Sequence, residues 1–365
     1  MTSNGVRVLQ VSADRSSRGI LFSGTAAAKR QEAYARAIGE LFVISFSRVR
    51  DGASERVFGT LRIIPTNSYS RFLYILDAYR KARHLPKPDV VSAQDPFETG
   101  LAGWLLARHF GVPLHVQIHT DLFSPSYARL SIVHRLRVLV ARFVLRRAAR
   151  IRTVSDRIKQ SLIHELHIPA ERVSVLPIYV DIESLRNAPT DSALAVTFAA
   201  YRTKLLVVSR LEPEKHVALA LRALRESAPP STCLIIVGSG SEQKSLMRLA
   251  ETLGIAESVF FEGAVEAAPY YRIADLVLVT SRFEGYGLVI IEALASGVPV
   301  LSTDVGIAHE AGAIIASEAF FGQELGKWFS DGPRSVELRN YPYEHFDAYV
   351  NAYAADLIKC ARGLS

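Results

Sequence analysis

From Ser281 to Glu292 the chain reads Ser-Arg-Phe-Glu-Gly-Tyr-Gly-Leu-Val-Ile-Ile-Glu, so that Glu284 and Glu292 flank a Gly-Tyr-Gly turn. Gly285 and Gly287 allow a sharp turn and a close approach of backbone to ligand. A helix opening just after them aims its first amides, and the positive end of its dipole, at the same place. That is phosphate-binding chemistry. Carboxylates are poor ligands for phosphate but good acceptors for vicinal hydroxyls, so Glu284 and Glu292 suit a sugar and a ribose. A second segment, Ser209-Arg210-Leu211-Glu212-Pro213-Glu214-Lys215, puts a guanidinium and an ammonium on either side of a turn stiffened by Pro213. Brought together at one point, Arg210 and Lys215 neutralise a diphosphate, the leaving group of a sugar nucleotide.

Both segments need a strand behind them. Short apolar runs alternate with segments of helical period along nearly the whole chain, the pattern of parallel sheets covered by helices, so the fold class is α/β. Strands are predicted at 6–11, 41–46, 61–64, 89–92, 114–118, 151–153 and 173–176, and again at 204–208, 233–237, 258–261, 276–279 and 298–302. The restart near residue 204 implies two doubly wound domains, over 1–186 and 204–342, joined by a linker over 187–203. The segment 343–365 is read as a final helix packing back across the junction. Ligands of such sheets bind beyond the carboxyl ends of the strands, where Arg210, Lys215 and Glu284 fall.

The 365 residues are 49% hydrophobic and 22% charged, which excludes a disordered or fibrous chain. The longest run without Asp, Glu, Lys or Arg is Ser227 to Ser241, broken by Pro229-Pro230, too short to cross a bilayer. The N-terminus leads directly into an apolar strand and lacks the marks of a signal peptide. Cys233 and Cys360 are the whole cysteine complement, so neither a disulfide framework nor a cysteine metal cage is expected. The expected compartment is the cytoplasm, with a peripheral place on the inner face of the membrane.

These segments resemble a known family. Arg210 with Lys215, Phe261-Glu262-Gly263-Ala264-Val265, and Glu284 to Glu292 followed by Ala295-Ser296-Gly297-Val298-Pro299-Val300 are similar to the retaining glycosyltransferases of family 4 (glycosyl transferases group 1), which have a GT-B fold of two Rossmann-like domains facing across a crevice. The likeness is strong over about 204–306 and looser before that. The resemblance implies a hexosyltransferase using a nucleoside-diphosphate sugar and an acceptor hydroxyl, with no further cofactor and no metal. Glu292 then holds the ribose, Glu284 the donor-sugar hydroxyls, Arg210 and Lys215 the diphosphate, and the backbone of Gly285, Tyr286, Gly287, Leu288 and Val289 completes the phosphate site. Val265 meets the base. His119, in Ile118-His119-Thr120-Asp121, matches the family's histidine facing the donor sugar. Gly19 ends the loop Ser12 to Gly19, which carries one glycine where the family has a pair, and is the candidate there for contact with the nucleotide sugar. Leu176-Pro177-Ile178-Tyr179-Val180-Asp181 lacks the family's usual Asn-Gly turn. Gln94-Asp95-Pro96-Phe97-Glu98 also follows a strand and is a candidate for the acceptor side, although Asp95-Pro96 equally marks a helix start. Asp181-Ile182-Glu183 reads as a turn and helix cap rather than a metal motif, since Arg210 and Lys215 already bring positive charge. Two other functions remain open, a sugar-nucleotide epimerase on the same fold and a non-catalytic polyanion binder.

Charge is unevenly distributed: 28 Lys and Arg against 15 Asp and Glu up to residue 190, and 15 against 21 beyond. Ten of the basic residues lie between Arg129 and Lys159 beside a single acid, Asp156. At helical spacing Ile132, Val133, Leu136, Leu139, Val140 and Phe143 share one side and are expected to serve the core. Arg135, Arg142 and Arg146 form a ridge beside them, with Val138 and Leu145 beyond it. This ridge is expected to meet an anionic membrane carrying a lipid-linked acceptor. Nucleic acid is not the expected target, because no aromatic residues interleave with the arginines.

Overall fold

The computed structural model describes residues 5–13, 19–21, 24–129 and 131–364. It divides into two compact units, Met1–Pro177 with His345–Ser365, and Ile178–Glu344.

The first unit is built on an eight-stranded sheet: β1 (Val6–Ser12), β2 (Gly39–Ser45), β3 (Arg56–Phe58), β4 (Leu61–Pro65), β5 (Val90–Ala93), β6 (Leu114–Ile118), β7 (Arg150–Thr153) and β8 (Val173–Val175). The spatial order is β3-β4-β2-β1-β5-β6-β7-β8, parallel except for the antiparallel pair β3–β4. Val8, Val11, Leu41, Val43, Val90, Val91 and Val116 are fully buried, as expected of strands covered on both faces.

The second unit has six strands, β9 (Thr203–Val208), β10 (Thr232–Val237), β11 (Val259–Gly263), β12 (Leu276–Val279), β13 (Val300–Ser302) and β14 (Ile314–Ile315), all parallel, in the order β11-β10-β9-β12-β13-β14. This is the doubly wound order 3-2-1-4-5-6, whose winding reverses between β9 and β12. Leu205, Val207, Leu234, Ile236, Leu276 and Leu278 form one side of its core. The helices Val217–Ser227 and Phe321–Asp331 cover them through Leu221, Leu224, Phe321, Leu325 and Trp328.

Every strand expected from sequence is present. The two that hydropathy did not reveal, β3 and β14, are short strands at sheet edges. The expected linker 187–203 instead carries structure belonging to the second unit: Asp191 caps a helix at Ser192–Thr197, and Phe198 is fully buried edge-on against Phe260. The chain re-enters the first unit at His345, and its final helix, Phe346–Ala361, packs on the helix Ala26–Ile38. Asp356 of that helix accepts from His115 Nε2 at 3.0 Å and pairs with Arg150. Tyr353 accepts from Gln117 Nε2 at 2.8 Å and donates to Gln10 at 3.2 Å.

The basic helix, Ile132–Arg147, is turned from expectation over its first half; of the expected core side, Val140 and Phe143 are half-buried, Phe143 edge-on against Trp104. Ala141, Val144 and Leu145 are buried, whereas Ile132, Val133, Leu136 and Leu139 are more than half exposed. Contact with the neighbouring helix Glu98–Phe110 decides this. Val144 fits against Gly100, where an added Cβ would meet its Cγ1 at 3.0 Å, so the face carrying the small residue Ala141 goes inward. Arg142 is engaged locally, paired with Glu165 at 3.6 Å and lying over the ring of Phe123. Among the described residues no helix is long and apolar enough to cross a membrane.

Candidate functional site

The reversal between β9 and β12 brings together the two loops that follow these strands, and they are tied by three contacts. The Arg282 amide donates to the Glu214 carbonyl at 2.9 Å, and Thr280 Oγ1 donates to the Lys215 carbonyl at 2.9 Å. Lys215 Nζ and Glu284 Oε1 form an ion pair, with both side chains largely buried. Ser281 Oγ donates to the same carboxylate oxygen at 2.7 Å. A cation and a carboxylate, the first predicted for a diphosphate and the second for sugar hydroxyls, thus neutralise each other at the carboxyl end of the sheet.

Arg210 is disposed differently. It exposes 69% of its side chain and donates to Glu214 Oε1 at 2.8 Å. Lys215 and Arg210 therefore hold separate carboxylates. Glu212 accepts from the amide and the hydroxyl of Ser241, at 3.2 and 2.7 Å, fastening the loop after β10 to the loop after β9.

The Gly-Tyr-Gly turn forms as its composition requires. Gly287 has φ 93°, a left-handed conformation that side chains resist, and it opens the helix Leu288–Ala295 without a side-chain cap. The first turn of that helix therefore starts at the strand end; its Ile290 amide is bonded to the Gly287 carbonyl at 3.0 Å, which leaves the Leu288 and Val289 amides as those a helix start offers to an anion. Tyr286 is buried, and its carbonyl accepts from the Ile307 amide at 3.0 Å. Gly306 supports this turn: at φ 52°, its hypothetical Cβ would lie 2.3 Å from the Tyr286 carbonyl oxygen and 3.2 Å from Glu284 Cβ. Sequence reasoning missed Gly306. Its only signal was a glycine four residues after a strand, which carries no information without the neighbouring loop.

Glu292 lies within the Leu288–Ala295 helix, half-buried, and accepts from the Tyr271 hydroxyl at 2.8 Å. Burial pushes its carboxyl above the usual range, and the bond from Tyr271 only partly offsets this. Tyr271, the second residue that sequence reasoning missed, is itself buried, and its hydroxyl is raised well above its ordinary value. Val265 is half exposed after β11, with its amide bonded to the Gly263 carbonyl at 3.1 Å.

In the first unit the winding reverses between β1 and β5, where Ser12 Oγ donates to Gln94 Oε1 at 2.6 Å. Of the expected glycine loop, Asp14 to Arg18 lie outside the described residues. Gly19 is buried, and its carbonyl accepts from Thr25 Oγ1 at 3.1 Å. Asp95 closes the turn just before the helix Glu98–Phe110, whose N-cap is Phe97: its side chain accepts from the Phe97 amide at 2.8 Å, and burial raises its carboxyl to about 6. Asp181 accepts from the Ser184 amide at 3.0 Å as the cap of the helix Ile182–Arg186. His119 stands just past β6 with its side chain open to water, although protein crowds it on the other sides. Desolvation first, and then the charges of Arg152 and Arg30, lower its pKa, so the ring is neutral at physiological pH. Among the described residues no group of three or more His, Cys, Asp or Glu is placed to hold a metal ion.

Residues 31–184 match the family model of Glycosyltransferase Family 4, and residues 197–313 match that of Glycosyl transferases group 1. The chain belongs to the group 1 glycosyltransferases of GT-B fold. Of the curated proteins it is similar to the D-inositol 3-phosphate glycosyltransferase of Thermobispora bispora, 34% identical over 229 residues, which cover 57% of this chain and 53% of that protein. The chain thus spans about half the length of the curated relatives it matches. Among solved structures, Anabaena HepE in complex with UDP and glucose aligns with a TM-score of 0.69 at 19% identity over 98% of this chain and 97% of that one. Sucrose-phosphate synthase from Thermosynechococcus elongatus aligns at 0.70 and 17% identity, over 98% and 94%. At such identities the likeness is one of fold.

Proposed function

We propose that this protein transfers a hexosyl unit from a nucleoside-diphosphate sugar to an acceptor hydroxyl, with retention at the anomeric carbon. The observation that carries the reading is the Lys215–Glu284 pair beside the uncapped first turn of the Leu288–Ala295 helix, at the point where the second sheet reverses its winding. An ammonium and helix amides suit the diphosphate, and Glu284 suits the hydroxyls of the sugar attached to it. Glu292, held by Tyr271, is assigned the ribose, Val265 the base, Arg210 with Lys215 the diphosphate, and His119 the donor sugar.

In this reading the bond from the anomeric carbon to the diphosphate oxygen breaks while the bond to the acceptor oxygen forms on the same face. The acceptor proton passes to an oxygen of the departing phosphate, so no enzymic nucleophile is needed. Lys215 and Arg210 stabilise the charge that develops on the diphosphate, and with that positive charge supplied no metal is assigned. The acceptor is proposed to be lipid-linked, with the first unit peripheral to the membrane. Incubation with a panel of UDP-, GDP- and ADP-sugars tests the transfer. Release of one free nucleotide, together with a thermal shift by that nucleotide, supports it. Failure of every donor to bind or react overturns it.

A further inference from the structure

The first half of the basic helix leaves an apolar surface facing water. At 100° per residue Ile132, Leu136 and Leu139 fall within one narrow stripe, with Val133 at its side, and Ile132 is 74% exposed. Arg135 and Arg146, both exposed, border the stripe on the side away from Val133. From residue 122 to residue 155 the chain has eight arginines and no Asp or Glu. A helix whose apolar side is solvated while arginines line its margin is the reverse of a solubilising helix, whose apolar side would be the buried one.

A second exposed apolar cluster belongs to the same unit. Tyr69 and Phe72, 86% and 96% exposed, follow the carboxyl end of β4 with Arg71 between them. The basic helix runs from the carboxyl end of β6 back toward β7, so its exposed first half lies toward that same sheet edge. Four strand spacings, about 19 Å, separate β4 from β6.

We propose that Ile132, Leu136 and Leu139, flanked by Arg135 and Arg146 and assisted by Tyr69 and Phe72, dock the first unit onto an anionic lipid bilayer. The occupant is identified by charge complementarity. Apolar side chains enter the interface while the bordering guanidiniums meet lipid phosphates; the arginines of this segment that pair with carboxylates, Arg137 with Glu98 and Arg142 with Glu165, are not the two that border the stripe. Its use, presenting a lipid-linked acceptor, rests on the transferase reading; the docking itself is measured without turnover.

The test is sedimentation of the full chain with vesicles of phosphatidylglycerol and phosphatidylcholine in equal parts, beside vesicles of phosphatidylcholine alone. Wild type is expected to bind the acidic vesicles preferentially and to lose binding as salt rises. Ile132→Ser/Leu136→Ser/Leu139→Ser is expected to lower partitioning about tenfold or more with an unchanged melting temperature, because these side chains are already solvated. Arg135→Ser/Arg146→Ser is expected to abolish the preference for acidic lipid. Equal binding to both vesicle types overturns the proposal, as does undiminished binding by the triple variant. A dimer in light scattering that the triple variant dissolves also overturns it, since a second copy would then cover this face. Nucleotide release on the same samples reports on the transferase reading separately, so either can fail alone.

Discussion

Lys215 and Glu284 lie 69 positions apart in the chain, yet they form an ion pair on adjacent loops of the second sheet, and Ser281 donates to the same carboxylate oxygen. The pairing keeps two charged groups compensated in a largely buried place until a ligand arrives. In the proposed reading phosphate competes for the ammonium and sugar hydroxyls for the carboxylate, so donor binding would redistribute these bonds.

Lys215→Ala is therefore expected to lower turnover by roughly two orders of magnitude or more, as loss of a transition-state charge donor commonly does. Arg210→Ala is expected to act in the same direction. Steady-state kinetics on the accepted donor measure both. With these cations in place EDTA is expected to leave activity intact, and activity lost to EDTA and restored by magnesium would refute the metal-free assignment.

Glu292→Ala is expected to weaken binding of the free nucleotide, because each hydrogen bond from ribose to a carboxylate is worth about 1.5 to 3 kcal/mol. Glu284→Ala should spare free-nucleotide affinity and reduce turnover. Calorimetric titration distinguishes the two; equal losses of affinity contradict this division of roles.

With Glu292 on the ribose as proposed, its raised carboxyl is expected to give nucleotide binding a pH dependence. Its ionised form accepts both hydroxyl bonds, so affinity is expected to hold at neutral pH. As pH falls it should begin to fail at a higher pH than for an ordinary glutamate. Tyr271→Phe removes the bond that opposes this rise and should move the midpoint further up. Affinity measured across the acid range checks both statements.

Asp356 should contribute stability at neutral pH that is lost in acid. Burial raises its carboxyl, but the bonds and charges of His115 and Arg150 outweigh that effect and bring it down to about 2. A group depressed in the folded state contributes stability in full above its unfolded value of about 3.9, and the contribution is lost as pH falls toward about 2. Asp356→Ala leaves Arg150 without its buried partner and is expected to cost about 3 to 5 kcal/mol at neutral pH. Denaturant unfolding at neutral pH and near pH 2 measures it, and the difference between wild type and variant should shrink in acid.

Gly306→Ala should damage nucleotide binding more than global stability, because its Cβ would collide with the Tyr286 carbonyl and displace the turn that starts the Leu288–Ala295 helix. A thermal melt beside a nucleotide titration shows whether the loss is local.

Much of this arrangement is determined by local chemistry and was therefore legible. Alternating apolar runs and helical segments specify two parallel sheets, because strands covered on both faces must be apolar throughout. Gly285, Gly287 and the apolar residues after them specify a turn and a helix start, since the backbone there needs little beyond its own composition. What the sequence left open depends on contacts far apart along the chain. Nothing in residues 209–215 or 281–287 alone says that Lys215 takes Glu284 while Arg210 takes Glu214; the reversal of winding between β9 and β12 decides it by bringing those loops together. Tyr271 and Gly306 became legible only beside Glu292 and Tyr286 for the same reason. The basic helix shows the limit most plainly. Periodicity determines that Ile132, Leu136 and Leu139 share a side, but the side that turns inward is chosen by the shape of the neighbour. Gly100 admits Val144, and the larger apolar residues are left facing water.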